Sequence, residues 1–195
     1  METDVELLTR LRDGDEHAFV ELIERYQPSM VRLARSMVPS DAVAEEVVQD
    51  TWMGVVRGLE RFEGRSSFKT WLFRILANRA RSAGWHERRQ TRGRRAPAAD
   101  PSQFAAGGQW AEPVERWVEE SDNRMAAAEW APVLRSALEE LPRRQRQVVL
   151  LRDLEGLSGS EVCAVLDISA GNQRILLHRG RTHLRQRVDA ALGRR

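Results

Sequence analysis

The sequence predicts an all-α protein made of two small helical domains joined by a long linker. Three observations carry this. Apolar residues recur at three- and four-residue spacing through most of the chain, with no sustained period-two alternation. Capping residues and Gly or Pro stops punctuate these runs at helix length. From about Trp85 to Asn123 the helical period gives way to a stretch rich in Arg, Pro, Gly, Ala and acidic residues. The boundaries are therefore 1–87 for the first domain, 88–123 for the linker and 124–195 for the second domain.

Val5 to Leu11 reads as a short amphipathic helix stopped by Asp13-Gly14. A longer helix starts near Asp15 with Phe19, Leu22, Ile23 and Tyr26 on its apolar face, and Pro28 should kink it or start a new turn. Met30, Val31, Ala34, Met37 and Val38 continue the apolar content to Pro39. Ser40 is positioned to cap a third helix reaching about Glu60. Val47, Val48, Thr51, Trp52, Val55 and Leu59 share its buried face, while Glu46, Gln49, Asp50, Met53 and Arg57 share the opposite one. Met53 is the apolar exception on that charged surface, as at partner contacts. After the loop Arg61–Ser66, Ser66 or Ser67 caps a fourth helix. In it Phe68, Leu72, Ile75 and Leu76 bury, Trp71 flanks them, and Arg74, Ala77, Asn78 and Arg81 face outward. Aromatic residues interleaved with Arg and Asn suit stacking and hydrogen bonding to unpaired bases.

The linker spans about 35 residues, a length that needs a reason. Phe104, Trp110 and Trp117 lie in it, and disordered spacers are normally poor in aromatics, so they are expected to dock on something. In the second domain, Pro132 marks a break or a helix start. Val133, Leu134, Ala137, Leu138 and Leu141 then pattern as one helix. Pro142 opens another, with Val148, Val149 and Leu151 apolar, Arg143, Arg144 and Arg146 outside, and Gly156 as its stop.

Leu157 to Leu184 is the most informative stretch. Ser158 and Glu161 form a capping box, and Val162, Val165 and Leu166 fall on one face. Asp167-Ile168-Ser169 makes a turn, with Ser169 capping a second helix from about Ala170 to about Val188. Leu177, Gly180, Leu184 and Val188 form its buried stripe, with Gln173 at the edge. Gly171, Asn172, Ile175, His178, Arg179 and Thr182 lie opposite. A short buried helix followed by a longer one with a polar, cationic outer face is the helix-turn-helix pattern of DNA readers.

Composition limits the function classes. A charged fraction of 31% beside 42% hydrophobic suits a globular chain with a well-solvated surface. The formal net charge is only +2, so a case for nucleic acid rests on local clusters. Lys69 is the sole lysine; the other cations are Arg, which suits bidentate contacts to phosphate and guanine. Cys163 is alone, which excludes an intrachain disulfide and a multi-Cys zinc site, and it fits a small packing residue. The four His are scattered, so no metal site and no cofactor is expected. The N-terminus is acidic without an apolar core, and no window approaches the ~20 apolar residues of a membrane span. A cytoplasmic protein with no direct membrane contact is expected.

AEEVVQDTW at 44–52, RFEGRSSFKTWLFRILANRAR at 61–81 and LPRRQRQVVLLRDLEGLSGSEVCAVLDIS at 141–169, in this order around a linker, resemble a bacterial RNA polymerase sigma factor of the extracytoplasmic-function class in the sigma-70 family. The resemblance covers about Asp15–Glu87 and Ala126–Leu192. It implies a region 2 bundle and a region 4 helix-turn-helix, with a linker in place of region 3. It also implies no enzymatic activity and no catalytic residue. The implied partners are the polymerase core, through its beta-prime clamp helices and beta flap, promoter DNA, and an anti-sigma factor.

Carried over by position, Glu46, Gln49 and Asp50, with Met53 beside them, match the segment that docks on the clamp helices. Phe62, Arg65 and Ser66 lie in the loop matching the one that holds a flipped base of the downstream element. Trp71, Arg74, Asn78 and Arg81 fall on its reading helix. Gly171, Arg174, His178 and Arg179 match the upstream-element reader, and Asn172 shares their arc. Arg143, Arg144, Arg179 and Arg181 are the phosphate candidates; Arg174, Ile175 and His178 are the base-reading ones. The family often has Ser or Lys then Arg where this chain has Ile175 and Leu176; Ile175 is placed to meet a thymine methyl or, as the rival reading, to pack against a neighbouring protein surface. Two other classes fit less well. A free-standing helix-turn-helix regulator leaves Leu22–Asn78 unexplained, and a nuclease needs carboxylates that converge, which Glu45, Glu46 and Asp50 do not.

Overall fold

The computed structural model describes residues 2–90 and 124–193, and every regular element among them is helical. Helix α1 (Asp4–Arg12) opens on a capping box between Thr3 and Glu6. Helix α2 (Glu16–Met37) is capped by Asp15, and α3 (Asp41–Gly58) by Ser40, as its sequence predicts. A single 3₁₀ turn, Leu59–Arg61, leads to the loop before α4 (Phe68–Gln90). The Ser67 hydroxyl accepts from the Thr70 amide, so Ser67 rather than Ser66 caps α4. Leu7, Leu22, Met30, Val48, Val55, Leu72 and Leu76 fill the core of this four-helix unit.

Four expectations need correction. Pro28 neither breaks α2 nor starts a new turn; it sits in the helix interior on the solvent side, where the carbonyl it leaves unpaired can meet water. Pro132 likewise lies inside α5 (Arg124–Glu140). The loss of apolar period at Trp85 does not end α4, which continues as far as Gln90, past the boundary at 87. Ala77 does not face outward: it is fully buried with Phe73 and Ala80, a second apolar stripe beside Phe68, Leu72 and Leu76. The reason is that α4 packs against α2, α3 and α7 together and so has two buried sides.

In the second unit, Pro142 precedes α6 (Arg143–Val149). The chain then widens into a π-helical turn, Leu150–Leu154, closed by Glu155 N donating to Leu150 O at 3.0 Å. Gly156, at φ 68°, ends it in the left-handed region where glycine is favoured. Helix α7 (Gly159–Leu166) has the Ser158–Glu161 capping box, and α8 runs Ala170–Leu192, past the expected end near Val188. The expected docking of Phe104, Trp110 and Trp117 lies outside the described residues.

Candidate nucleic-acid and polymerase interfaces

The outer face of α3 is as its periodicity predicts: Glu46, Gln49, Asp50 and Met53 are all exposed, Met53 by half its surface. Val56, one turn on from Met53, is exposed to 55% and extends the apolar part of this face. The apolar spacing could have signalled it, since it shares neither stripe of buried residues. Arg79 of α4 reaches over Gly54 to pair with Asp50 at 3.4 Å, and a Cβ on Gly54 would come within 2.7 Å of its guanidinium. This face thus carries a buttressed acid beside two exposed apolar side chains.

The aromatic part of the downstream-element candidate departs from a row of free rings. Phe62 and Trp71 lie 4.8 Å apart at 35°, and both also pack on Phe68, at 6.2 and 5.9 Å. Phe62 and Trp71 are half-buried. Arg12 fixes the loop from a distance in sequence, donating to the Phe62 carbonyl at 2.6 Å and to the Leu59 carbonyl at 3.3 Å. No local signal could have found it. Beyond Phe62 the loop is exposed, with Gly64 at φ 71° and Arg65 paired to Glu63 at 2.9 Å; Ser66 is exposed as well. Arg74 and Asn78 face out along α4, as expected. Arg81 does not: it is half-buried, donating to Asn78 Oδ1 and to the Val165 carbonyl at the end of α7.

In the second unit the buried stripe of α8 holds the helix against α6 and α7. Gln173 is 4% exposed, and Gly180 lies so close to α6 that a Cβ there would sit 2.6 Å from Val149 Cγ2. This anchors the opposite arc. Gly171, Asn172, Arg174, Ile175, His178 and Arg179 are all exposed on it, and the Ser169 hydroxyl accepts from the Asn172 amide at its start. Arg144 is exposed nearby in sequence to Arg143. Three other cations differ from expectation. Arg181 forms a two-point pair with Asp153, at 3.0 and 2.5 Å, which raises its already high pKa and ties its fork down. Arg146 is not outside; it is half-buried and donates to the Glu139 and Leu141 carbonyls at the end of α5. Arg143 points back to the first unit, donating to the Val38 carbonyl at 2.9 Å. Among the described residues no group of three His, Cys, Asp or Glu side chains could hold a metal, and no helix is long and apolar enough to cross a membrane.

A helical unit with an exposed acidic and apolar face, followed by a helix-turn-helix with an exposed cationic arc, has the form of a DNA-reading protein. Comparison with known proteins makes this specific. The family model for Sigma-70 region 2 matches residues 22–93, and that for Sigma-70, region 4 matches residues 133–184. The ECF RNA polymerase sigma-E factors of Salmonella typhimurium and of Escherichia coli K12 are each 32% identical over 197 residues, covering 98% of this chain and 97% of theirs. The structure of CnrH in complex with the cytosolic domain of CnrY aligns at a TM-score of 0.56 and 26% identity, over 97% of this chain and 99% of that one. RpoE of Bartonella quintana, solved with the anti-sigma factor NepR, aligns at 0.59 and 22% over 88% and 96%. The chain belongs to the extracytoplasmic-function class of the sigma-70 family. It is an alternative sigma factor that directs RNA polymerase to promoters.

Proposed function

We propose that the two helical units divide promoter recognition between them. Region 2, up to residue 87, docks on the beta-prime clamp helices of core polymerase through Glu46, Gln49, Asp50 and Met53. Val56 extends that contact. Its α4 and the loop from Phe62 to Ser66 take the unpaired downstream element. Arg65, Arg74, Asn78 and Arg81 supply charge and hydrogen bonds, and the Phe62–Trp71 edge supplies a stacking surface. Unstacking costs a few kcal/mol per base, so such compensation is required. Region 4, from residue 124, lays α8 in the major groove of the upstream element. Arg174, Ile175 and His178 read base edges, while Arg143, Arg144, Arg179 and Arg181 and the amide at Gly171 hold phosphates. Arg143 and Arg181 must first release Val38 and Asp153. Region 4 also meets the beta flap, and residues 88–123 span the gap. The chain performs no chemical step of its own and acts in the cytoplasm, where its target polymerase is. An anti-sigma partner is in keeping with CnrH having been solved in complex with the cytosolic domain of CnrY.

The observation that carries this reading is the arc of α8, whose reader candidates are all exposed while Gln173 and Gly180 are buried on the other side. Run-off transcription with purified core and genomic fragments tests it, with sequencing of the transcript starts. Addition of the chain should produce a defined set of starts that core alone does not use. Gel shift without core should show weak or no specific binding; tight specific binding there would favour a free-standing regulator. Arg179→Ala should weaken promoter binding by ~1–3 kcal/mol with core binding unchanged. Asp50→Arg should lower co-purification with core, and a normal yield would overturn the docking assignment.

A further inference from the structure

The loop that carries Phe62, Arg65 and Ser66 is anchored at its two ends, while its tip contacts only itself and its neighbour. At the tip Arg65 pairs with Glu63 at 2.9 Å, Gly64 turns the chain at φ 71°, and the Ser66 hydroxyl donates to the Ser67 carbonyl at 3.3 Å. Residues 63–66 are all exposed. One anchor is the Ser67 cap on α4. The other is Phe62. Its amide closes the 3₁₀ turn on the Leu59 carbonyl at 3.1 Å, and its ring lies against Phe68 and Trp71. Trp71 in turn lies over the end of α3, where a Cβ on Gly58 would come within 3.2 Å of Trp71 Cζ2. The Phe62 carbonyl is the last backbone atom before the tip, and it accepts from Arg12 Nη2 at 2.6 Å. The same nitrogen reaches the Leu59 carbonyl at 3.3 Å, so one guanidinium bridges both ends of the 3₁₀ turn. Carbonyls at a helix end have no intrahelical donor, and a charged donor satisfies them well.

Arg12 is aimed by the way α1 is held. Near the start of the helix, Asp4 accepts from Arg25 Nη1 at 2.8 Å and from the Tyr26 hydroxyl, while Leu7 and Leu8 are buried beneath. Just past the end, Arg10 places Nε and Nη2 on Asp15 Oδ2, at 2.9 and 2.7 Å, and Nη1 on Glu21 at 3.2 Å. This clasp closes the turn through Gly14, whose φ of 91° favours glycine. Arg12 lies between the two fastenings, so its side chain leaves from a fixed backbone. It is itself exposed, so its bonds compete with water and add little to stability. What they fix is direction.

From this geometry we infer that Arg12 is a positioning residue for base selection. It sets the direction in which the loop tip leaves the body, and so the place of the groups that hold the flipped base. The inference rests on the reading of Phe62–Ser66 as the loop that takes that base. A short exposed tip discriminates between bases only if its donors and acceptors are in place beforehand. Otherwise the cost of ordering it falls on every base alike, and misaligned bonds fit the wrong base as well as the right one. The ring of Phe62 fixes one side of the stem and the carbonyl fixes the other. Without Arg12 that carbonyl turns to water and the torsion leading into Glu63 is released. Helix α1 precedes residues 22–93, the stretch that matches Sigma-70 region 2, yet it becomes part of the downstream-element reader.

The test uses holoenzyme assembled from core and the full chain, on the promoter with the most abundant start in the run-off experiment. Templates with each base at every downstream-element position give the wild-type preferences. The double variant Arg65→Ala, Ser66→Ala, on the tip itself, marks the position that the loop reads. Arg12→Ala should lower the preference at that same position roughly fivefold, the worth of one net hydrogen bond, and leave the other positions as in wild type. A general loss of folded protein would instead lower every template in proportion. If circular dichroism shows lost helix, Arg12→Gln decides in its place, since it removes the guanidinium and keeps part of the aliphatic stem. Hydrogen exchange of the free chain, followed by mass spectrometry, should be faster in the peptide spanning 62–66 and unchanged in α3 and α4. An unchanged preference at the marked position would overturn the role of Arg12, as would a loss at a different position or equal exchange in the loop. So would a salt dependence of promoter binding shallower by about one in log–log slope, the mark of a lost phosphate contact. If the double tip variant shifts no preference at any position, the reading of the loop itself fails and the inference falls with it.

Discussion

Glu161 is the residue on which two kinds of order meet. The Thr70 hydroxyl first, then the Ser158 amide and hydroxyl, hold its carboxyl down at about 2, against an ordinary value of 4.5. The folded value is depressed, so its stabilisation is complete above about pH 4.5 and is lost as the pH falls through about 2. An acid titration followed by scattering and circular dichroism should therefore show region 4 loosening within that window; Glu161→Gln should flatten the response there. Gly180 makes a purely steric counterpart. Gly180→Ala should destabilise region 4 by ~1–3 kcal/mol in urea melts, because the Val149 methyl is branched, buried and unable to swing aside. Both positions show what the sequence makes legible at this scale. The Ser158–Glu161 cap follows from a three-residue spacing, and the place of Gly180 on the buried stripe follows from the helical period. The hydroxyl of Thr70 does not, because it comes from 91 residues away.

Among the elements, the faces of α3 and α8 were the most legible, since each has one buried and one solvated side and the period separates them, although Val56 and the tie of Arg181 to Asp153 were not. Helix α4 was not. Its two apolar stripes cannot both face one core, so periodicity assigns the stronger and leaves Phe73, Ala77 and Ala80 to chance. Phe73 is fully buried, and Phe73→Ala should cost ~3–5 kcal/mol in a denaturation experiment. The prolines misled for a related reason. Pro28 and Pro132 both lie at exposed positions of helices held by their flanking turns. A lost backbone bond is tolerable there, and tertiary packing overrides a local stop signal. The π-helical turn at Leu150–Leu154 has no composition cue at all, yet it sets the place of Glu155.

For the whole molecule, two domains and a linker were evident from the collapse of helical period, whereas their mutual contact was not. Arg32, Lys69, Thr70, Glu155 and Glu161 have the composition of an ordinary solvated surface, and only three-dimensional placement pairs them. Their charged part makes a further expectation. Screening shortens the reach of charge to about 3 Å at 1 M salt, from ~10 Å at 0.1 M. The radius of the free chain should thus grow as salt is raised, and the increase should be smaller in Glu155→Gln; a radius independent of salt would assign the contact to its apolar centre.

Lys69 is the sole lysine in the chain. Apart from the amino terminus, it is then the one primary amine that a succinimidyl ester can acylate. In the docked molecule its nitrogen is engaged by the Glu155 carbonyl and carboxylate. An amine held by two acceptors is shielded from the ester, so its acylation rate counts the molecules that have come apart. Mass spectrometry of the peptide bearing Lys69 would follow that population without any engineered label, in the free protein and as core polymerase or promoter strand is added.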